Sequence, residues 1–215
     1  MFCAPCADFR HDFARDGCLT DKTFTGESFL AKSASAAGGA TNRGNDVYTR
    51  RMNLPMNLQA LAEPAAWKPI NDGVMGGLSH SRFLVDEEGC ARFEGTVSLE
   101  NQGGFASVRH VLRHLIPANS RQIRLRALGD GHVYKFSLRT DDAFDGISYQ
   151  ADFLPASHQW MDIDLGLDQF AATFRGRPAS AAALTSFGQI RQIGLMIANR
   201  QVGDFCLKLR LISFL

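Results

Sequence analysis

The sequence predicts an all-β fold, an antiparallel β-sandwich or jelly roll preceded by an N-terminal extension, and three observations carry that expectation. From Trp67 onward, stretches of chain alternate apolar and polar side chains with a period of two; glycine–aspartate turns stand between several of them; no helices alternate with them. Hydrophobic residues make up 45% of the 215, enough for a core and too many for a wholly disordered chain. Sixteen Phe against two Trp and three Tyr supply core material rather than a stacking platform for sugars or nucleic acids.

Residues 1–55 read as a flexible extension and 56–215 as the folded domain. Ser33 to Ala40 is a linker of small residues, followed by a polar stretch from Thr41 to Asp46. Met52 and Met56 stand just before the ordered pattern, so either is an alternative start if the upstream residues are an over-extended gene reading. Cys3 and Cys6, with His11 and Cys18 nearby, lack a regular metal-ligand spacing, and neither a metal nor a cofactor is assigned. Cys90 and Cys206 sit inside strand-like runs and read as free buried thiols.

Each strand follows from its alternation. Between Cys90 and Leu99, Ala91, Phe93, Val97 and Leu99 oppose Arg92, Glu94, Thr96 and Ser98. Ile123, Leu125 and Ala127 oppose Arg124 and Arg126. Tyr134, Phe136 and Leu138 oppose Lys135, Ser137 and Arg139; Ile147, Tyr149, Ala151 and Phe153 oppose Ser148, Gln150 and Asp152. Phe205, Leu207, Leu209 and Leu211 oppose Cys206, Lys208 and Arg210. Gly129-Asp130-Gly131, Asp145-Gly146 and Gly203-Asp204 supply turns. Further strands are expected at 81–85, 105–110, 160–165 and 193–198, and a short helix at 179–187, where Pro178 and the alanines suit a first turn.

Charge excludes one class of partner. Of 23 basic and 22 acidic residues, seven and six lie before Met52, leaving an electroneutral domain with no electrostatic case for nucleic acid. No stretch approaches the roughly 20 apolar residues of a membrane span. The first thirty residues carry Asp8, Asp12, Asp16, Asp21 and Glu27, unlike a transit peptide, so the expected address is the cytoplasm.

Three polar groupings stand out. Asn71-Asp72-Gly73 with Gly76-Gly77 is either a small polar site or turn chemistry. Glu100-Asn101-Gln102-Gly103-Gly104 is either a ligand-contacting rim loop or a bulged connection. Lys135, Ser137, Arg139, Gln150 and Asp152 share a parity and, with Arg109, form one polar face if their strands are neighbours. That face is either a binding floor for a glycan, carboxylate or peptide or a solvated sheet surface with cross-strand ion pairs. Asp141, Asp142 and Asp145 fit an acidic hairpin loop or a loop-type calcium site, but not an EF-hand, because Ala143 stands where a ligand oxygen is needed. Trp67 and Trp160 read as core or rim anchors. No zinc-protease, nucleophile-elbow, phosphate-loop or dinucleotide fingerprint is present.

Long passages resemble a known family. They are Trp67-Lys68-Pro69-Ile70-Asn71-Asp72-Gly73-Val74-Met75-Gly76-Gly77-Leu78-Ser79, then Phe93 to Arg109, then Gly129-Asp130-Gly131, Tyr134-Lys135-Phe136, Leu138-Arg139-Thr140, Tyr149 to Phe153 and Phe174-Arg175-Gly176-Arg177-Pro178. Ile193 to Ala198 and Gly203-Asp204-Phe205 close the series. Together they resemble the complex I intermediate-associated protein 30 family over about Trp67 to Ile212. The resemblance implies a galactose-binding-domain-like jelly roll and a non-catalytic, assembly or chaperone-like role toward a respiratory or membrane complex, with a subunit or assembly intermediate as protein partner. A jelly roll binding a glycan or small polar ligand is the alternative, and an enzyme with an unrecognised site the third. The residues expected to contact a ligand or partner are Asn71, Asp72, Glu100, Asn101, Arg109, Lys135, Arg139, Gln150 and Asp152.

Overall fold

The computed structural model describes residues 64–215. The expected extension, the alternative starts and the cysteines before Cys90 lie outside the described residues. Twelve strands follow in order: β1 (Trp67–Pro69), β2 (His80–Val85), β3 (Ala91–Val97), β4 (Ala106–Val111), β5 (Gln122–Leu128), β6 (Tyr134–Arg139), β7 (Ser148–Phe153), β8 (Met161–Gly166), β9 (Ala171–Phe174), β10 (Arg177–Pro178), β11 (Gln192–Ile197) and β12 (Gly203–Phe214). They form two antiparallel sheets, one of seven strands in the order β1-β4-β11-β6-β7-β9-β10 and one of five in the order β2-β3-β12-β5-β8. The fold is an antiparallel β-sandwich of the jelly-roll type, and no described helix is long and apolar enough to cross a membrane.

The core lies between the sheets and is assembled from the apolar parity of each strand. Ile123, Leu125 and Ala127 on β5, Tyr134, Phe136 and Leu138 on β6, and Leu207 and Leu209 on β12 are fully buried. Phe205 packs on Phe93 with ring centroids 4.9 Å apart, and Phe187 on Phe214 at 5.8 Å. Trp67 belongs to the core, stacked on Phe83 at 4.4 Å, whereas Trp160 is only partly buried beneath the Arg210 guanidinium. Among the described residues Cys90 and Cys206 form no disulfide; the first is buried and the second partly so.

The structure corrects three expectations. Residues 179–186 form no helix; only a 3-10 turn at Phe187–Gln189 follows, its Gly188 N–H donating to Ser186 Oγ. Four alanines cannot offset the cost of helix nucleation in so short a segment, and the Ala182 carbonyl instead accepts the Tyr149 hydroxyl while Leu184, Phe187 and Ile190 anchor the chain. On β12 the register shifts between Leu209 and Leu211, so that Leu211 is partly exposed and Ile212 is fully buried in its stead. A one-residue bulge moves every later side chain to the other face. Gly203-Asp204 opens β12 rather than preceding it, and Asp204 accepts the Thr96 hydroxyl across the β3–β12 pair.

Candidate functional site

The glycine-rich passage after β1 folds around a single carboxylate. Asp72 is fully buried. Its Oδ1 accepts the Ser79 amide (3.0 Å), and its Oδ2 accepts the Ser79 hydroxyl (2.5 Å), the Gly104 amide (2.7 Å) and the Phe105 amide (3.4 Å). The glycines are there because the carboxylate fills their side-chain space: a Cβ on Gly77 would lie 2.3 Å from Asp72 Cγ, and one on Gly103 2.5 Å from Oδ2. Asn71 does the same work next door, its Oδ1 accepting from Ser81 Oγ (2.7 Å) and Ser107 N (3.0 Å). Burial raises the Asp72 pKa, but the bonds from the Ser79 hydroxyl and the Gly104, Ser79 and Phe105 amides outweigh it and hold the carboxyl below its ordinary value. Asp72 therefore has no surface to offer a ligand, and Asn71 has committed its acceptor to the framework.

The face read from strand parity exists. β6 and β7 are neighbours, with Lys135 opposite Asp152 and Ser137 opposite Gln150. β11 lies on the other side of β6 and β4 beyond it, so Arg109, Gly194, Ser137 and Gln150 stand on one cross-strand rung and share the outer face of the seven-stranded sheet. Gly194 makes the floor deep: a Cβ there would lie 2.5 Å from Ser137 Oγ and 2.9 Å from the Val108 carbonyl. The result is a cleft of about 540 Å³, floored by Arg109, Ser137, Arg139 and Gln150 and walled by Phe105, Phe144, Asp145 and Arg175.

Its electrostatics differ from those of the rest of the surface. On the outer face of the five-stranded sheet four arginines have carboxylates: Arg82 and Arg92 bind Glu94, although the buried Arg92 Nε has no hydrogen-bond partner among the described residues, Arg124 binds Asp164 through two bonds of 2.7 Å, and Arg126 lies 3.3 Å from Asp162. In the cleft, Arg175 binds Asp145 at 2.5 Å, but among the described residues Arg139 has no ion pair and its buried Nη1 no hydrogen-bond partner. Arg109 donates to the Phe144 carbonyl at 2.9 Å. Burial and then the charge of Arg139 push the Arg109 pKa down to about 10, against the pull of Asp141 and Asp145. Burial likewise lowers Arg139. Ser137 and Gln150 make no side-chain hydrogen bond among the described residues.

The other sequence candidates lie apart. Lys135 and Asp152 occupy the same sheet face, bonded to each other at 2.5 Å, and do not line the cleft. Glu100 is exposed in the 3-10 turn Glu100–Gln102, where Asn101, at a φ of 53°, donates to the Gly76 carbonyl. The Asp141–Asp145 loop is built as an acidic turn, Asp141 accepting the Ala143 amide and Asp145 engaged by Gly146 and Arg175.

A family model, that of Complex I intermediate-associated protein 30, matches residues 56–209. The chain belongs to this family. An uncharacterized protein of Schizosaccharomyces pombe is 28% identical over 174 residues, covering 69% of this chain and 79% of that protein. Among solved structures, the family 11 carbohydrate-binding module of a cellulosomal cellulase of Clostridium thermocellum has a TM-score of 0.53 at 15% identity, over 69% of this chain and 87% of that one. The same module in complex with a β-1,3-1,4-mixed-linked tetrasaccharide has a TM-score of 0.52, also at 15% identity, over 69% and 88%. At that identity the likeness establishes the fold alone.

Strand parity does not reveal Phe144 and Arg175 in the cleft wall, nor Gly194 on the rung between Arg109 and Ser137. Arg175 stood in a quoted passage, Phe174 to Pro178, but nothing local says that the β9–β10 turn returns to Asp145. Gly194 lay in a strand that reads as apolar, and an isolated glycine there was the available signal of a close backbone approach.

Proposed function

We propose that the chain is a non-catalytic binding module that engages a subunit or assembly intermediate of a respiratory or membrane complex through the cleft on its seven-stranded sheet. The observation that carries this reading is the uncommitted polar floor. A folded protein satisfies its buried polar groups internally, and those left over in a concave site are the ones a ligand completes. Here, among the described residues, Arg139 has no ion pair and its Nη1, Ser137 and Gln150 are left over, while Arg82, Arg92, Arg124 and Arg126 of the opposite sheet are each ion-paired. Family membership supports an assembly intermediate as the kind of partner. Affinity capture from the native host at near-physiological salt is expected to recover subunits of one multi-subunit complex in stoichiometric amounts; repeated recovery of none contradicts the proposal.

A glycan in the same cleft is the second reading, favoured by one feature: Phe144, 66% exposed, stands at the mouth of a cleft whose floor holds the Gln150 amide, a surface for stacking beside a hydrogen-bonding group. Neutral oligosaccharides that leave the melting temperature unmoved at millimolar concentration remove it.

A further inference from the structure

Arg139 lies on the outward parity of β6, yet it is only 9% exposed, because the cleft wall closes over it. A guanidinium carries five donors and keeps its charge at any physiological pH, so burying one without a partner is costly. Its Nη1 is nevertheless buried and has no partner among the described residues, and it lines the cleft beside a second guanidinium, that of Arg109, which raises the cost further.

The charges nearby define what would offset that cost. Asp145 is held by Arg175 through both Nε (3.0 Å) and Nη2 (2.5 Å) and is spoken for. Asp141 and Asp145 both act on Arg109 and Arg139 through space, and among the described residues neither makes an ion-pair contact to them. Three guanidinium charges, those of Arg109, Arg139 and Arg175, against the two carboxylates of Asp141 and Asp145 leave a surplus of about one positive charge, which suits a singly charged group better than a dianion that Asp141 and Asp145 would repel. The planar donor fork of arginine matches a carboxylate.

We propose that Arg109 and Arg139 form a carboxylate-binding subsite at the floor of the cleft, with Ser137 and Gln150 as neutral donors beside it and Phe144 covering the apolar part of the same ligand. This rests on the cleft being the binding site and names the chemistry of what enters it: an acidic side chain or terminal carboxylate of a partner polypeptide, or the uronate of an acidic sugar.

The test is calorimetric titration of the full chain with four probes: acetyl-Phe-Asp-Phe-amide, its Asn counterpart, trigalacturonate and inorganic phosphate. At least one of the two carboxylate probes is expected to bind, at least tenfold more tightly than phosphate. If that probe is the peptide, its Asn counterpart binds at least tenfold more weakly. Arg139→Gln and Arg109→Gln each reduce binding at least tenfold without lowering the melting temperature, and Arg124→Gln on the opposite sheet leaves it unchanged. Binding by the peptide assigns the carboxylate to a polypeptide; binding by trigalacturonate alone supports the subsite while removing the protein-partner reading. Equal binding of the Asp and Asn peptides, no loss in Arg139→Gln, or no binding by either carboxylate probe overturns the subsite. A protein partner captured in equal yield by wild type and Arg139→Gln would leave the assembly proposal standing and the subsite refuted, so the two fail separately.

Discussion

Two groups of polar side chains occupy this domain, and they are built on opposite terms. Around Asp72, four donors converge on one buried carboxylate and the glycines on either side make room for it. In the cleft, a nearly buried guanidinium has an unpartnered nitrogen, and the hydroxyl and amide beside it are uncommitted. The first group spends its hydrogen bonds on joining the segments that precede β2 and β4; the second holds its own in reserve. The difference separates a conspicuous sequence motif from a binding surface. Dense glycine around an Asn-Asp pair marks a framework knot here, and a plain strand alternation marks the site.

The largest effect should follow from Asp72→Asn. Burying an unsatisfied donor costs about 1–3 kcal/mol, and the amide group of Asn turns a donor toward donors already present, so a loss of about 3 kcal/mol is expected in urea unfolding at pH 7. The pH dependence sharpens this. Because the folded pKa of Asp72 lies below its ordinary value, the carboxylate stabilises the fold above the unfolded pKa, and that contribution is lost as the pH falls through the folded pKa. Unfolding measured from pH 7 down to pH 2 should show wild type losing stability at the acid end and Asp72→Asn, already lower, losing less.

A smaller effect is expected where the cleft floor is filled. Gly194→Ala places a methyl 2.5 Å from Ser137 Oγ and 2.9 Å from the Val108 carbonyl, and the strain of overpacking in a central strand should lower stability by about 1–2 kcal/mol. The same methyl enters the space beside Arg109, so binding of any cleft ligand should weaken by more than the stability change alone accounts for. An undiminished affinity would separate the floor from the site.

Much of the architecture was legible in the residues because the alternation on β3, β5, β6 and β7 is regular and two-period patterns dictate which face is buried. Strands β1, β9 and β10 are two to four residues long, too short to show a period. The bulge on β12 was hidden because Leu211 and Ile212 are both apolar and either can face the core. For the site, parity placed Ser137, Arg139 and Gln150 on one surface, but the position of Arg109 depends on β4 and β11 pairing across long stretches of chain, which no local pattern encodes. Asp72 was expected to contact a ligand, and its burial was hidden for the same reason: its partners Gly104 and Phe105 are 32 and 33 residues away.

The measurement that tests the central claim most directly is urea unfolding of Arg139→Met beside wild type. If the guanidinium is held for a ligand, replacing it by an apolar side chain of similar length removes an uncompensated buried charge, and the midpoint should stay the same or rise, by up to about 1 kcal/mol, with the slope unchanged. A fall approaching that of Asp72→Asn would show that Arg139 is part of the framework and that the cleft keeps nothing in reserve.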